Sequence, residues 1–157
     1  PPRTGGDMQV DTVVRLSQIR RIICITDASY DMARPTLTKL RAKKGFLQLS
    51  GEDASAVGFL AQGGDGCISV TANIAPRLCG DMHDAWKKRD LDKVFEIQDR
   101  LMPLHKALFV ETSPAPVKYG AELLGQARAE LRLPLVQCTD ATKKQVREAM
   151  VHAGLIN

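Results

Sequence analysis

The chain has 157 residues, a net charge of +4, 44% hydrophobic residues and 25% charged residues, which is the size and composition of one ordinary globular domain. Its lysines and arginines are scattered, and it has only two tyrosines, one tryptophan and four phenylalanines. The sequence therefore lacks the basic stripe beside aromatic residues that is typical of nucleic-acid binding. No apolar run approaches the roughly 20 residues of a membrane span, and no signal-peptide pattern opens the chain.

The first half of the chain predicts alternating helices and strands. In chain order these are a short helix at 11–18, a strand at 22–25, a helix at 31–44, a strand at 46–49, a helix at 54–61 and a strand at 67–70. The order strand, helix, strand, helix, strand is typical of right-handed βαβ units on a parallel sheet.

The predicted strand at 22–25 is the one on which the functional prediction depends. Its four apolar residues in a row indicate a strand buried on both faces, and Thr26 and Asp27 follow it directly. Residues at the carboxyl ends of parallel strands are where α/β folds place chemistry. The loops at 50–53 and 71–73 are also small and polar and should open on the same side of the sheet.

A purely structural interpretation of these polar loops stays open, because Ser50, Asp53 and Asp31 are all suitable helix caps. The glycine-rich segment at 63–66 precedes a strand instead of following one. It therefore predicts a tight turn from helix to strand and not a phosphate site.

The second half of the chain is predicted to be helical. The first predicted helix begins at Pro76. The second runs from 91 to about 110, with a kink at Pro103, and the third runs from 116 to 124. The last helix has Thr139 as its candidate N-cap and ends at Gly154. Its apolar stripe consists of Val146, Ala149, Met150 and Ala153.

The four cysteines, Cys24, Cys67, Cys79 and Cys138, include no C-x-x-C pair. Cys24 and Cys67 lie inside apolar strand-like runs, so we interpret the cysteines as small core residues in a reducing compartment. We accordingly expect no metal site and no cofactor, and we expect a cytoplasmic protein.

A series of motifs resembles the C-terminal part of the dihydrodipicolinate synthase family. The motifs are Ser-Gly-Glu-Asp-Ala at 50–54, Gly-Gly-Asp-Gly-Cys-Ile-Ser-Val-Thr-Ala-Asn-Ile-Ala-Pro at 63–76, Leu-Met-Pro-Leu-His at 101–105, Pro-Ala-Pro-Val-Lys-Tyr at 114–119 and Leu-Arg-Leu-Pro at 131–134. The resemblance covers essentially the whole chain, and it implies an α/β barrel of eight strands with added C-terminal helices.

Against that pattern the chain is similar to the last three βα units, at 1–75, followed by the helical tail at 76–157, as one continuous folded unit. A complete barrel needs about 250 residues, so we expect a truncated barrel that lacks the first strands. The alternative fold is a rearranged, mostly helical fragment that associates with itself. The family is usually a cytoplasmic homotetramer, so the resemblance also implies a homo-oligomer.

The resemblance implies a lyase of lysine biosynthesis that condenses pyruvate with aspartate semialdehyde through a Schiff base on a barrel lysine. The family segment Gly-Ile-Lys-Glu/Asp-Ala-Thr is similar to residues 24–29, which places Thr26 at the lysine position. Arg3 matches an arginine that binds the semialdehyde carboxylate, and Gly51 and Ile68 match positions that line the pyruvate pocket. We interpret Lys118 as structural.

Two functions remain at this point. The first is the C-terminal half of a family lyase that is inactive alone, because it lacks the Schiff-base amine, the family's proton-relay tyrosine and the paired threonines of the early strands. The second is a non-catalytic, self-associating structural module. Unpaired sheet edges and an exposed inner face would favour such self-association.

Overall fold

The structure, a computed structural model, describes residues 5–157. The chain divides into two compact units, Pro1–Ser69 and Val70–Asn157. The sequence-based domain boundary after residue 75 stays a prediction. Across residues 5–157 no helix is both long and apolar enough to cross a membrane.

The first unit contains a parallel sheet of three strands in the order β1-β2-β3. Its elements are α1 (Val10–Ser17), β1 (Cys24–Asp27), α2 (Arg34–Lys39), β2 (Leu47–Ser50), α3 (Ala56–Ala61) and β3 (Gly66–Cys67). The predicted order of strands and helices is therefore confirmed, and it fits a partial α/β fold.

The register of the sheet separates two faces. Cys24 pairs with Leu47 and Thr26 with Leu49, and in a parallel pair such partners point to the same side. On the other side, Gln48 and Ser50 are only 3% and 2% exposed, and the Gln48 Nε2 donates to the carbonyl of Pro35 in α2 at 2.9 Å. The helices therefore cover the polar side of β2.

The opposite side of the sheet is exposed and largely apolar. We call it the open face and define it by Cys24, Thr26, Leu47, Leu49 and Ile68. Leu47 is 43% exposed and Ile68 57% exposed, and Cys24 and Thr26 are exposed as well.

The open face corrects two predictions about β1. The strand is not buried on both faces, because the helices of the first unit pack against one side only. For the same reason Cys24 is not a core residue, whereas Cys79 and Cys138 are buried.

Three elements of the first unit, α2, α3 and β3, are shorter than predicted. Before α2, Asp31 Oδ1 accepts from the Ala33 N–H at 3.0 Å in a local turn, so the helix begins only at Arg34. The third strand ends at Cys67 because Val70 already has helical dihedrals and leads into a 3-10 turn at Thr71–Asn73.

The glycine-rich segment forms the predicted turn from α3 into β3. Gly63 has a φ of +94°, which favours glycine. A Cβ on Gly64 would lie 2.2 Å from the ring of Phe59, so a side chain at that position would collide with the α3 helix.

The second unit is a helical assembly of α4 (Pro76–Lys88), α5 (Leu91–Ala107), α6 (Ala115–Leu123) and α7 (Asp140–His152). Its most buried large side chains are Leu101, Leu104, Leu108, Val94, Val146 and Met150. The predicted stripe of α7 is confirmed as part of this core. α5 continues through Pro103, and the kink there stays a prediction.

Glu111 fixes the start of α7. Its Oε1 accepts hydrogen bonds from the Thr139 hydroxyl (2.5 Å), the Thr142 hydroxyl (2.6 Å) and the Thr139 N–H (3.1 Å). These bonds, led by that of the Thr139 hydroxyl, hold the pKa of Glu111 below its usual value of 4.5. Thr139 itself is the N-cap of α7, as predicted.

We expect Glu111 to make the second unit sensitive to acid. Because its pKa is lower in the folded state, the unfolded state binds the proton more readily. The stabilisation is therefore complete above pH 4.5 and is lost as the pH falls through the folded pKa. In urea titrations between pH 3 and pH 6, Glu111→Gln should unfold with a weaker pH dependence than the unaltered chain. Glu96→Gln, on the exposed side of α5, is the control, and an equal pH dependence for Glu111→Gln would contradict this role.

Candidate functional site

The carboxyl ends of the three strands carry the candidate site of the first unit. The Gly51 N–H donates to the Asp27 carbonyl at 2.7 Å, and the Ile68 N–H donates to the Ser50 carbonyl at 2.8 Å. These two bonds align the chain just after β2 with the end of β1, and the chain just after β3 with the end of β2. Thr26, Gly51 and Ile68, which the sequence analysis singled out, therefore lie on three adjacent segments.

Thr26 and Gly51 are direct neighbours. A Cβ built on Gly51 would lie 3.2 Å from Thr26 Cγ2 and 3.0 Å from Ala28 Cβ. The loop after β1 therefore approaches position 51 so closely that glycine is the residue that fits without a shift. Thr26 therefore lies directly beside Gly51, at the rim of the open face.

Asp27, the next residue, is held away from the open face. Its Oδ1 accepts from the Ser29 N–H at 2.8 Å, and its Oδ2 lies 3.2 Å from Arg34 Nε, with side-chain exposures of only 8% and 7%. Asp27 is therefore a structural carboxylate that shapes the loop after β1.

Arg34 joins this loop to the beginning of the described chain. Its Nη1 donates to both carboxylate oxygens of Asp7, at 2.9 and 2.7 Å, and its Nη2 donates to the Met8 carbonyl. One buried guanidinium thus connects the end of β1, the start of α2 and the segment before α1.

The sequence analysis did not identify Arg34. A cation at the first residue of a helix opposes the helix dipole, but the predicted helix began at 31 and so placed Arg34 inside it instead of at its start. The partner Asp7 lies 27 residues earlier, and no local pattern predicts that pairing.

The loop after β2 uses its polar groups internally. The Ser50 hydroxyl donates to the Glu52 carbonyl at 2.9 Å and accepts from the Glu52 N–H at 3.1 Å. The Glu52 carboxylate accepts from the Ala54 and Ser55 N–H groups just before α3, at 3.1 and 2.6 Å. The Asp53 carboxylate accepts from the Ser69 hydroxyl, which links this loop to the chain after β3.

The chemistry available at the strand ends is consequently limited. Thr26 offers a hydroxyl at the rim of the open face, and the segments at 28–33, 51–55 and 68–69 contain no lysine. In the second unit, the Lys118 ammonium donates to the Glu130 carbonyl, a bond that suits a structural role. Within residues 5–157, no group of three or more His, Cys, Asp and Glu side chains is placed to hold a metal ion.

The sequence model of the Dihydrodipicolinate synthetase family matches residues 1–153. The chain belongs to this family. The 4-hydroxy-tetrahydrodipicolinate synthase of Rhodospirillum centenum is 53% identical over 156 residues, which are 99% of this chain and 54% of that synthase. The chain therefore spans about half the length of the curated relatives that it matches.

Solved structures of dihydrodipicolinate synthases are also similar. The lysine-bound synthase of Cyanidioschyzon merolae has a TM-score of 0.92 and 32% identity, and the match covers 99% of this chain and 53% of that one. The chloride-inhibited Acinetobacter baumannii synthase, complexed with pyruvate, has a TM-score of 0.89 and 33% identity over 96% of this chain and 52% of that one. The resemblance found in the sequence is confirmed at the level of the family.

The individual site roles stay predictions. Gly51 and Ile68 lie at the strand ends, as their predicted role requires, and Thr26 lies beside Gly51. Arg3, predicted to bind the aspartate semialdehyde carboxylate, lies outside the described residues.

We expect Arg34 to stabilise the first unit far more than an exposed arginine does. Arg34→Met should lower the free energy of unfolding by about 3 kcal/mol, because it leaves the buried Asp27 carboxylate without its cation. The control is Arg41→Met, which breaks a pair with Asp11 at 2.6 Å whose side chains are 53% and 76% exposed. That loss should be below about 1 kcal/mol. Equal losses for the two variants in urea unfolding would contradict the proposed importance of Arg34.

Proposed function

We propose that these residues supply the C-terminal half of a dihydrodipicolinate synthase-type barrel, and that alone they do not catalyse the family reaction. That reaction condenses pyruvate with aspartate semialdehyde in lysine biosynthesis. Support comes from the family match over residues 1–153 and from the similarity to complete synthases over half of their length. The observation that carries the second part of the proposal is Thr26 at the end of β1.

The proposed loss of activity follows from the chemistry of an imine. A lysine amine attacks the ketone carbon of pyruvate, water leaves, and the nitrogen ends with a double bond to that carbon. The Thr26 hydroxyl oxygen already has one bond to its own side chain, so it can add to the ketone but cannot form a neutral double bond to it. It therefore cannot provide the electron sink on which the condensation depends.

The size and chemistry of the other residues in the proposed pocket suit substrate binding. Gly51 leaves room beside Thr26, because any side chain there would press against Ala28 and Thr26. Ile68 offers an exposed apolar surface on the neighbouring segment. We assign these two residues to the pyruvate pocket and Arg3 to the carboxylate of aspartate semialdehyde, for which a guanidinium is well suited.

Borohydride trapping with pyruvate tests the proposed inactivity. We expect intact-mass spectrometry to find no reduced pyruvyl adduct on this chain, because no amine lies at the strand ends. The R. centenum synthase under the same conditions is the positive control. An adduct on this chain, mapped by peptide digestion to any one residue, would overturn the assignment.

Thr26→Lys provides the companion variant. It should not give measurable synthesis from pyruvate and aspartate semialdehyde, because the first barrel strands and their relay groups are not among these residues. Thr36→Lys, in α2, is the matched control, because it adds a lysine away from the strand ends. Turnover by Thr26→Lys alone would show that the account of what the site lacks is mistaken.

A second candidate function is a non-catalytic module that associates with copies of itself. The open face supports it, since Leu47 and Ile68 are large apolar residues that water now contacts. Sedimentation across micromolar concentrations should detect dimers or larger species. Leu47→Arg should weaken the association at least tenfold, which corresponds to about 1.4 kcal/mol, since it would bury an unpaired charge.

Leu40→Arg is the matched control for that measurement. Leu40 is also an exposed leucine, at the end of α2, but it does not belong to the open face. A monomer at every concentration, or equal effects of the two arginine variants, would argue against self-association through the open face.

A further inference from the structure

We propose that the first unit carries a binding site, separate from the candidate site, for a small ligand that bears a diphosphate group. The site is a concavity of about 390 Å³ at the amino end of β2. Three of the residues that line it are lysines, Lys39, Lys43 and Lys44. It lies at the opposite end of the strands from the carboxyl ends, where α/β barrels place their active sites, so it does not depend on the proposed function.

The three ammonium groups of this site have no carboxylate partner within residues 5–157. Arg41, in the same segment, does have one, since it pairs with Asp11 at 2.6 Å. Among the described lining residues the one carboxylate is that of Asp65, and its Oδ2 accepts from the Gln48 N–H at 2.7 Å. The lining residues therefore have a net charge of +2.

The helix dipole accounts for only one of these lysines. Lys39 is the last residue of α2, where a cation is favourable because it lies at the negative end of the helix dipole. Lys43 and Lys44 lie beyond the helix, and like charges around one concavity repel each other. An anion bound among them would offset that repulsion, so the cluster favours an anionic ligand.

The glycine turn after α3 makes room for the Lys39 side chain. A Cβ on Gly63 would lie 3.2 Å from Lys39 Cδ and 3.3 Å from its Nζ, so this side chain lies against the turn. The N–H groups of Gly63, Gly64 and Asp65 all donate to main-chain carbonyls. The turn therefore positions a cation and does not itself bind phosphate.

The loop between α2 and β2 adds main-chain donors to the site. The N–H groups of Lys44 and Gly45 have no acceptor in the part of the chain that the structure describes, and both residues line the concavity. Lysine ammonium groups and main-chain N–H groups are the donors with which proteins bind phosphate oxygens. The loop thus supplies both kinds of donor at one place.

The size and the apolar walls of the concavity define the class of ligand. Its volume lies within the range of small-molecule sites and is larger than one inorganic phosphate requires. Ala42 and Phe46, both half-buried, are among its lining residues. A diphosphate group can contact more than one ammonium group at once, and the apolar residues can contact the organic group attached to it. A nucleoside diphosphate has this chemistry.

Isothermal titration calorimetry on the whole chain, without divalent cations, tests the proposal with pyrophosphate and ADP as probes. We expect saturable one-to-one binding of both probes and no binding of adenosine, which lacks the phosphates. Raising the NaCl concentration from about 50 mM to about 200 mM should weaken the binding of ADP, because salt screens exposed charges.

Charge-removing variants locate the site. Lys39→Gln and Lys43→Gln should each weaken the binding of ADP at least tenfold, whereas Lys88→Gln should leave it unchanged. Lys88 is the matched control because it is also exposed and has no ion pair within residues 5–157, but it lies at the end of α4, outside the concavity. All three side chains are exposed, so urea unfolding should show that the variants remain folded.

Acetylation of lysine amines provides an independent readout at single residues. Saturating ADP should lower the acetylation rate of Lys39, measured by peptide mapping, at least tenfold and should leave that of Lys88 unchanged. The proposal would be overturned by the absence of saturable binding, by adenosine binding as tightly as ADP, or by equal effects at Lys39 and Lys88 in either measurement. A pyruvate adduct on the chain would contradict the proposed function and leave this result unaffected.

Discussion

The parallel register between β1 and β2 is the constraint on which the first unit depends. Pairing of Thr26 with Leu49 puts both side chains on the open face and turns Gln48 and Ser50 toward the helices. A slip of one residue would exchange the two faces and bury the leucines against α2. The bond from the Gly51 N–H to the Asp27 carbonyl holds the register at the end of the sheet where the candidate site lies.

A buried ion pair maintains the same end of the sheet. Arg34 begins α2, where its charge opposes the helix dipole, and the carboxylates of Asp27 and Asp7 compensate it. The loop after β1 is thereby tied to two other segments. Thr26 is thus the neighbour of a buried ion pair, although its own side chain lacks the chemistry of an amine. Immediately beyond, Tyr30 has a φ of 64°, a left-handed conformation that is unfavourable for a bulky side chain.

Much of the fold was predictable from local signals. Apolar runs with glycine turns between them predicted three parallel strands, and the Thr139 cap and its apolar stripe predicted α7. The motifs at 50–54 and 63–76 predicted the family. The burial of β1 was mispredicted because a continuous apolar run indicates which faces suit burial, not which faces have a neighbour. Arg34 was missed because its contact with Asp7 joins residues that are distant in sequence.

The central claim is that the end of β1, where the family's Schiff-base lysine is expected, carries the hydroxyl of Thr26 in place of an amine. Its most direct test is borohydride trapping with pyruvate on a fusion that joins the segment of the R. centenum synthase preceding its match to this chain, made once with the native residue and once as Thr26→Lys. The account predicts a reduced pyruvyl adduct that maps to residue 26 in the lysine variant and no adduct in the unaltered fusion. An adduct on the unaltered fusion, or none on a folded Thr26→Lys fusion, would contradict it.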